Sequence, residues 1–289
     1  MKALPGAFWL VVLAAGPPAY RSRAAGPTTR ATTRPGTFTV ATYNINGLNR
    51  HLPEVIANIR KTKADVACLQ EVNRGSAGEL RRALRSDYPF IETALNHRVD
   101  GFALLSKSPV THRQWVPAKE IGYHSLLHAR TRLGGRDVQV VVVHLVPNIP
   151  RPGASAGDQV RHMLRLEGQR NEEIRRIAKR FSRDRPVLAM GDFNCLSFQG
   201  AVTYMKARGF VDAVAAVHNQ PDALPTWQGR FQGREMRLRI DYVFHTAQFR
   251  TLAAGVLTAE GSDHFPLVAT LTWAAPAGPA GAAPRAGRR

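Results

Sequence analysis

Cysteine is almost missing from this chain of 289 residues, which holds only Cys68 and Cys195. Two isolated thiols exclude a disulfide framework and a thiolate zinc cluster. Long apolar runs are missing as well: the stretch Ala7 to Ala15 falls far short of the roughly 20 residues that span a bilayer. No repeat of fixed period marks a solenoid. Acidic side chains are scarce. Asp and Glu number 21 against 40 Lys and Arg, a formal net charge of +19 with a pI near 11.1. Residues 1–36 and 272–289 contain no acid at all, and their eight basic residues (Lys2, Arg21, Arg23, Arg30, Arg34, Arg285, Arg288, Arg289) leave +11 for the stretch 37–271. A positive field of that size favours polyanions: nucleic acid, anionic lipid surfaces or phosphorylated small molecules. The competing reading is a merely compositional richness in Arg. What the chain does have is 44% hydrophobic residues, enough for one large α/β domain or two small ones, which excludes a collagen-like, coiled-coil or largely disordered protein.

The two ends read differently from the middle. Met1-Lys2, the apolar stretch and the small residues Ala24-Ala25-Gly26 fit a secretory signal peptide over 1–25, with a disordered leader as the alternative. Export is therefore expected, to the periplasm or the medium, and no Cys follows that would carry a lipid anchor. Residues 26–36 read as a linker and 274–289, rich in Ala, Gly, Pro and Arg, as a disordered tail. The folded domain is expected over 37–273.

Within it the apolar runs are short and β-branched: Phe38–Tyr43, Asp65–Gln70, Gly101–Ser106, Val138–Val143, Pro186–Met190, Arg239–Phe244 and Leu267–Trp273. Such runs predict strands buried on both faces. Leu52, Val55, Ile56 and Ile59 recur at helical spacing, as do Met163, Leu166, Ile174 and Ile177 with slippage. Helices covering sheets predict a layered α/β sandwich. Most of the strands run into a polar residue able to hold a metal or move a proton, and strand ends are where rigid backbone fixes such groups. Any one of these alone is most simply a turn former.

Six motifs occur in order: Thr42-Tyr43-Asn44-Ile45-Asn46-Gly47, Leu69-Gln70-Glu71-Val72, Val143-His144-Leu145, Gly191-Asp192-Phe193-Asn194, Arg239-Ile240-Asp241-Tyr242 and Ser262-Asp263-His264-Phe265-Pro266. This series resembles the endonuclease/exonuclease/phosphatase superfamily from about Phe38 to Trp273. The resemblance implies a four-layered α/β/β/α sandwich of two mostly antiparallel sheets. It also implies hydrolysis of phosphate esters with a bound metal. Glu71 and Asp263 are hard oxygen donors and Asn44 a neutral one, a set that suits Mg²⁺ or Mn²⁺. By resemblance Glu71 is the primary metal ligand, with Asn44 and Asp263 beside it. His264 needs a carboxylate to hold its tautomer, and the resemblance assigns Asp241 to it. Asp192 matches the group that positions or deprotonates the attacking water, Asn194 one that binds a phosphate oxygen, and His144 a donor to the phosphate or leaving group. Both Asp192 and His264 stand as readings of the general base.

Abasic-site nucleases usually carry a Tyr-containing motif where this chain has Val143-His144-Leu145, so the resemblance leans toward the His-bearing branches. The basic segment after His144 carries Arg151, Arg161 and Arg165, candidate phosphate contacts or else a solvated face. Cys195 has no thiol role beside a carboxylate-rich metal set, and Cys68 reads as a small buried hydrophobe. His97, His124 and His128 lack acids at useful spacing and read as surface or edge residues. The expected function is a metal-dependent phosphodiesterase acting on nucleic acid. The alternatives are the same chemistry on a phospholipid or an inositol phosphate, and a binding module that kept the fold. No amphipathic or aromatic hairpin for membrane insertion stands out, and all eight functional positions hold competent side chains. No protein partner is implied, and a monomer is expected.

Overall fold

Val138, Val140 and Val142 point into one apolar core while Val141 and Val143 point into another. A strand buried on both faces must lie between two layers. The computed structural model describes residues 36–49, 51–95, 101–182, 184–231 and 234–275. The first part of the chain runs β1 (Thr37–Asn44), α1 (Leu52–Thr62), β2 (Val66–Val72), α2 (Arg74–Leu84), β3 (Phe90–Ala94) and β4 (Gly101–Ser106). Then come β5 (Thr111–Val116), the one-turn α3 (Ala118–Ile121), β6 (Leu126–Leu133), β7 (Arg136–His144), α4 (Ala156–Ala178) and β8 (Val187–Asp192). The rest is α5 (Gly200–Ala207), β9 (Val211–Asp212), β10 (Trp227–Phe231), β11 (Arg234–Leu238), β12 (Asp241–His245), β13 (Phe249–Val256) and β14 (Leu267–Trp273).

Two six-stranded sheets result, ordered β13-β14-β1-β2-β4-β3 and β5-β6-β7-β8-β12-β9, with β10 and β11 as a separate ribbon. Between the sheets lies a core to which Val40, Cys68, Leu104, Val140, Leu188, Met190 and Leu271 contribute. Outside the first sheet, Val55, Ile56 and Ile59 of α1 and Leu80 and Leu84 of α2 cover Ala41, Leu69 and Leu105. Outside the second, Ile174 and Ile177 of α4 and Val202 and Met205 of α5 cover Val141, Val187 and Tyr242. This is the expected α/β/β/α sandwich. Each sheet is antiparallel except for one pair, β1–β2 in the first and β7–β8 in the second.

Those two parallel pairs place the site. In a parallel pair both strands end at the same edge, so Asn44 comes to rest beside Gln70 and His144 beside Asp192. The antiparallel neighbours begin at that edge: Asp241 opens β12 opposite Asp192, and Asp263-His264 lie just before β14. Gly191 lets β7 and β8 close. A Cβ there would sit 1.8 Å from the Val143 carbonyl oxygen, so any side chain would push His144 and Asp192 apart.

The strand expected from Arg239 begins instead at Asp241, because Arg239 turns inward and is buried. Its guanidinium pairs with Asp212 and Asp222, both at 2.9 Å, and lies over the Tyr242 ring. His124 and His128, read as surface or edge residues, are both buried. His128 lies inside β6, between β5 and β7, and His124 in the turn before it, stacked on His144 at the end of β7. His97 lies outside the described residues. So do the signal peptide and linker expected over 1–36 apart from Gly36, and the tail expected over 274–289 apart from Ala274 and Ala275.

Candidate active site

Glu71 occupies an irregular position: β2 loses register with β4 between Gln70 and Val72, and Glu71 takes a φ of 59°. A bulge of this kind re-aims one side chain out of the pleat, at a backbone cost of about 1–3 kcal/mol for a non-glycine residue. The side chain stays 29% exposed amid buried neighbours. One carboxylate oxygen accepts the Asn44 amide at 2.9 Å and the other the Gly47 backbone N–H at 3.0 Å. Asn73, two residues on, caps α2 through a reciprocal pair of hydrogen bonds with Ser76 and also holds the Gly47 carbonyl. The turn after β1 is thereby fixed against Glu71.

The same turn reaches Asp263. Asn46, at φ 56°, donates its side-chain amide to Asp263 Oδ1 at 3.0 Å, while Trp227 Nε1 donates to Asp263 Oδ2 at 3.0 Å. Asn44 sits between two acids, its Nδ2 donating to Glu71 and, at 3.2 Å, to Asp192. Its Oδ1 accepts the Asn46 N–H.

Asp192 lies at the centre. Its Oδ2 is 3.6 Å from His144 Nε2 and 3.7 Å from His264 Nε2, and its Oδ1 accepts the Asn194 N–H at 2.8 Å. Asn194, at φ 49°, turns its amide to the Leu145 carbonyl and so also holds the segment after His144. Burial, aided by the Asp241 carboxylate, pushes the Asp192 carboxyl up to about 8. His264 Nδ1 meets Asp241 Oδ2 at 2.9 Å. Burial disfavours its charge, but Asp241 and Asp192 outweigh that and push the imidazolium up to about 10. His144 behaves oppositely: burial, then His124 and His264, hold it well below the usual histidine range, so it is neutral.

All eight residues expected to form the catalytic and metal set therefore converge at one end of the sandwich. Among the described residues no Lys or Arg forms an ion pair with Glu71, Asp192, Asp241 or Asp263; their basic neighbours are neutral His144 and protonated His264. Four acids converging on a single imidazolium suit a divalent ion, which supplies the missing charge. Two donor sets could receive one. Asp192, Asp241 and His264 place ligand atoms within 4.8 Å of one another, but all three are buried and His264 is already bonded to Asp241. Glu71 and Asp263 are the more open pair.

Arg151, Arg161 and Arg165 are exposed, and Arg161 pairs with Asp158. Their segment borders the site through Asn148, whose amide donates to the Asn194 carbonyl. Three participants escaped the sequence reading. Asn46 stood inside a quoted motif. Trp227 had no local signal, because its partner lies 36 residues away. Thr226, whose hydroxyl accepts the N–H groups of Ile240 and Asp241, was equally silent.

A two-sheet sandwich with acids and histidines at one edge defines a class of phosphate-ester hydrolases. The chain belongs to the endonuclease/exonuclease/phosphatase family, whose model matches residues 41–264. Members hydrolyse phosphoric esters, generally with a divalent metal. Similar solved structures include an endonuclease/exonuclease/phosphatase of Beutenbergia cavernae, 23% identical, covering 82% of this chain and 72% of that one, TM-score 0.64. D. rerio TDP2 complexed with a single-strand DNA product is 18% identical, covering 82% and 99%, TM-score 0.64. A family protein of Bacteroides thetaiotaomicron is 16% identical, covering 84% and 100%, TM-score 0.64. No curated protein matches the sequence.

Proposed function

We propose that this chain is an exported phosphodiesterase that uses Mg²⁺ or Mn²⁺ to hydrolyse phosphodiester bonds in nucleic acid. The observation that carries the reading is the convergence of Glu71, Asp192, Asp241 and Asp263 with only histidines to offset them. Glu71 and Asp263, with Asn44 beside them, would hold the ion. Bound there, it would neutralise the phosphate and the departing oxygen. Asp192 Oδ2, flanked by two imidazoles, orients the attacking water and takes its proton. His264, kept protonated by Asp241, is a fixed positive charge for the phosphorane oxygens. Neutral His144 donates from Nε2 to a second oxygen. His264 holds its proton to about 10 and Asp192 only to about 8, so Asp192 is the group that frees an oxygen at the lower pH, which favours it over His264 as the base. TDP2 of D. rerio, with its single-strand DNA product, supports nucleic acid as the substrate, as does the net charge of the domain.

Plasmid DNA, RNA, sphingomyelin and an inositol phosphate, each incubated with the purified protein with and without EDTA, test this reading. Cleavage of a nucleic acid that stops in EDTA is expected. Turnover in excess EDTA would refute the metal assignment, and cleavage of only the lipid or the inositol phosphate would refute the substrate. Binding to duplex DNA should weaken with salt at a log–log slope of about −0.9 per phosphate contacted. Replacing Arg151, Arg161 and Arg165 by Ala should flatten that slope and spare turnover of a small diester. An unchanged slope removes these arginines from the interface.

Export has its own check. N-terminal sequencing of protein recovered outside the cytoplasm should start beyond residue 25, and an intact Met1 would contradict processing.

A further inference from the structure

A catalytic imidazole needs its ring held in one orientation, and a carboxylate on the second nitrogen commonly does this. His264 has that support from Asp241. His144 does not: its Nδ1 is buried and has no hydrogen-bond partner among the described residues. Its Nε2 nonetheless faces Asp192 at 3.6 Å and Glu71 at 4.0 Å. Something other than a hydrogen bond must fix the ring.

The ring of His124 lies face to face with that of His144, centroids 3.8 Å apart and planes 12° from parallel. Outside it Tyr123 packs edge-on at 4.7 Å and reaches the surface. Both imidazoles are more than nine-tenths buried. The stack does not come from one sheet position. His144 ends β7, whereas His124 lies in the turn between α3 and β6, and Glu173 of α4 ties the two segments together. One Glu173 carboxylate oxygen accepts the Tyr123 N–H at 2.7 Å, and the other accepts the Val146 N–H at 2.9 Å. Arg170, one turn earlier on α4, donates to the Val146 carbonyl. The turn passes so close that a Cβ on Gly122 would sit 2.3 Å from Glu173 Cγ. A buried carboxylate bonded to two backbone N–H groups is a rigid clamp.

We infer that His124 is a positioning residue for His144, setting the plane of its ring by face-to-face packing in place of the missing hydrogen bond. Glu173 holds the two supporting segments at stacking distance. The inference deepens the phosphodiesterase reading and rests on it for its kinetic consequence, while the packing itself can be measured without turnover.

His124→Leu preserves side-chain bulk but removes the flat face, and His124→Phe restores a flat face without an imidazole. With the full chain, Mg²⁺ and bis(p-nitrophenyl) phosphate, His124→Leu should lower kcat roughly 10–100-fold with KM changed by no more than about twofold. His124→Phe should recover most of the loss. A purely structural role would make both variants lose activity in proportion to their fall in Tm. Histidine side-chain NMR supplies the second measurement. In the unsubstituted protein the His144 ring protons should be shifted by the current of the His124 ring, a shift kept in His124→Phe and lost in His124→Leu. An unshifted His144 in the unsubstituted protein overturns the inference, as does a Leu variant with normal kcat or a Phe variant as impaired as Leu. If the unsubstituted protein cleaves no diester but shows the shift, the phosphodiesterase reading fails and the packing stands.

Discussion

His264→Ala should lower kcat by roughly 10²–10⁴-fold, the range for loss of a positioned proton-transfer or charge-stabilising group. The ring has a single productive role, because its Nδ1 is committed to Asp241 and its Nε2 faces Asp192. Asp241 is itself set by its backbone N–H on the Thr226 hydroxyl, and its other carboxylate oxygen has no partner among the described residues. The charge of Asp241 thus serves His264 first. Asp241→Asn keeps the shape but removes the charge that holds His264 protonated, so its loss should approach that of His264→Ala. Because the two act as one unit, the double variant should be little worse than the poorer single one. Losses that multiply would show two independent contributions, and single-turnover kinetics on one diester would separate the cases.

Without metal, Asp192 and His264 should each cost the protein stability as pH rises from about 4 toward 10, against an opposite contribution below the usual histidine range from His144, whose proton is held more weakly folded than unfolded. Asp192 and His264 both bind their protons more tightly folded than unfolded. Asp192 rises from 3.8 to about 8 and His264 from 6.5 to about 10. Stability from a raised group is complete below its unfolded value and is lost as pH passes up to its folded one. Each therefore contributes fully in acid: Asp192 surrenders its share between about pH 4 and 8, His264 between about 6.5 and 10. Asp192→Asn, neutral at every pH, should remove the first part of that decline. By removing the cost of protonating a buried acid on folding it should also raise the metal-free Tm near neutrality, by about 2–4 °C for each kcal/mol relieved, while abolishing turnover. Thermal melts in EDTA from pH 4 to 10 measure this, and Mg²⁺ or Mn²⁺ should restore neutral-pH stability to the unsubstituted protein. A difference between Asp192→Asn and its parent that does not change with pH, or a variant that melts lower than its parent at pH 7, would contradict the charge balance proposed for the site.

The strands that carry the chemistry were legible because each is buried on both faces and so must be written in apolar residues. Leu267–Trp273 and Gly101–Ser106 even keep their expected ends. Others left no such trace. Thr111–Val116 is exposed along all but its last residue, and only Phe249 of β13 is buried, so neither needed an apolar pattern. α2, with Gly75 and Gly78 in its first half, is a weak helix by composition and depends on its Asn73 cap. In the site, side-chain identities were readable from six short motifs, but conformations were not: nothing about Leu-Gln-Glu-Val announces that Glu71 adopts a left-handed backbone. His124 was misread for a related reason. An acid nearby in sequence was sought as its partner, whereas its neighbour is the face of another imidazole brought in from β7.

β1 lies between β2 and β14, so the first described strand pairs with the last, Thr37 opposite Thr272. During synthesis on a ribosome, β1 therefore waits exposed along one edge for more than two hundred residues of chain. The same late segment delivers Asp263 and His264. Ribosomal output short of residue 263 thus lacks both the strand that closes the sheet and two of the eight residues that converge at its edge, so closing the sheet and completing the site are one event.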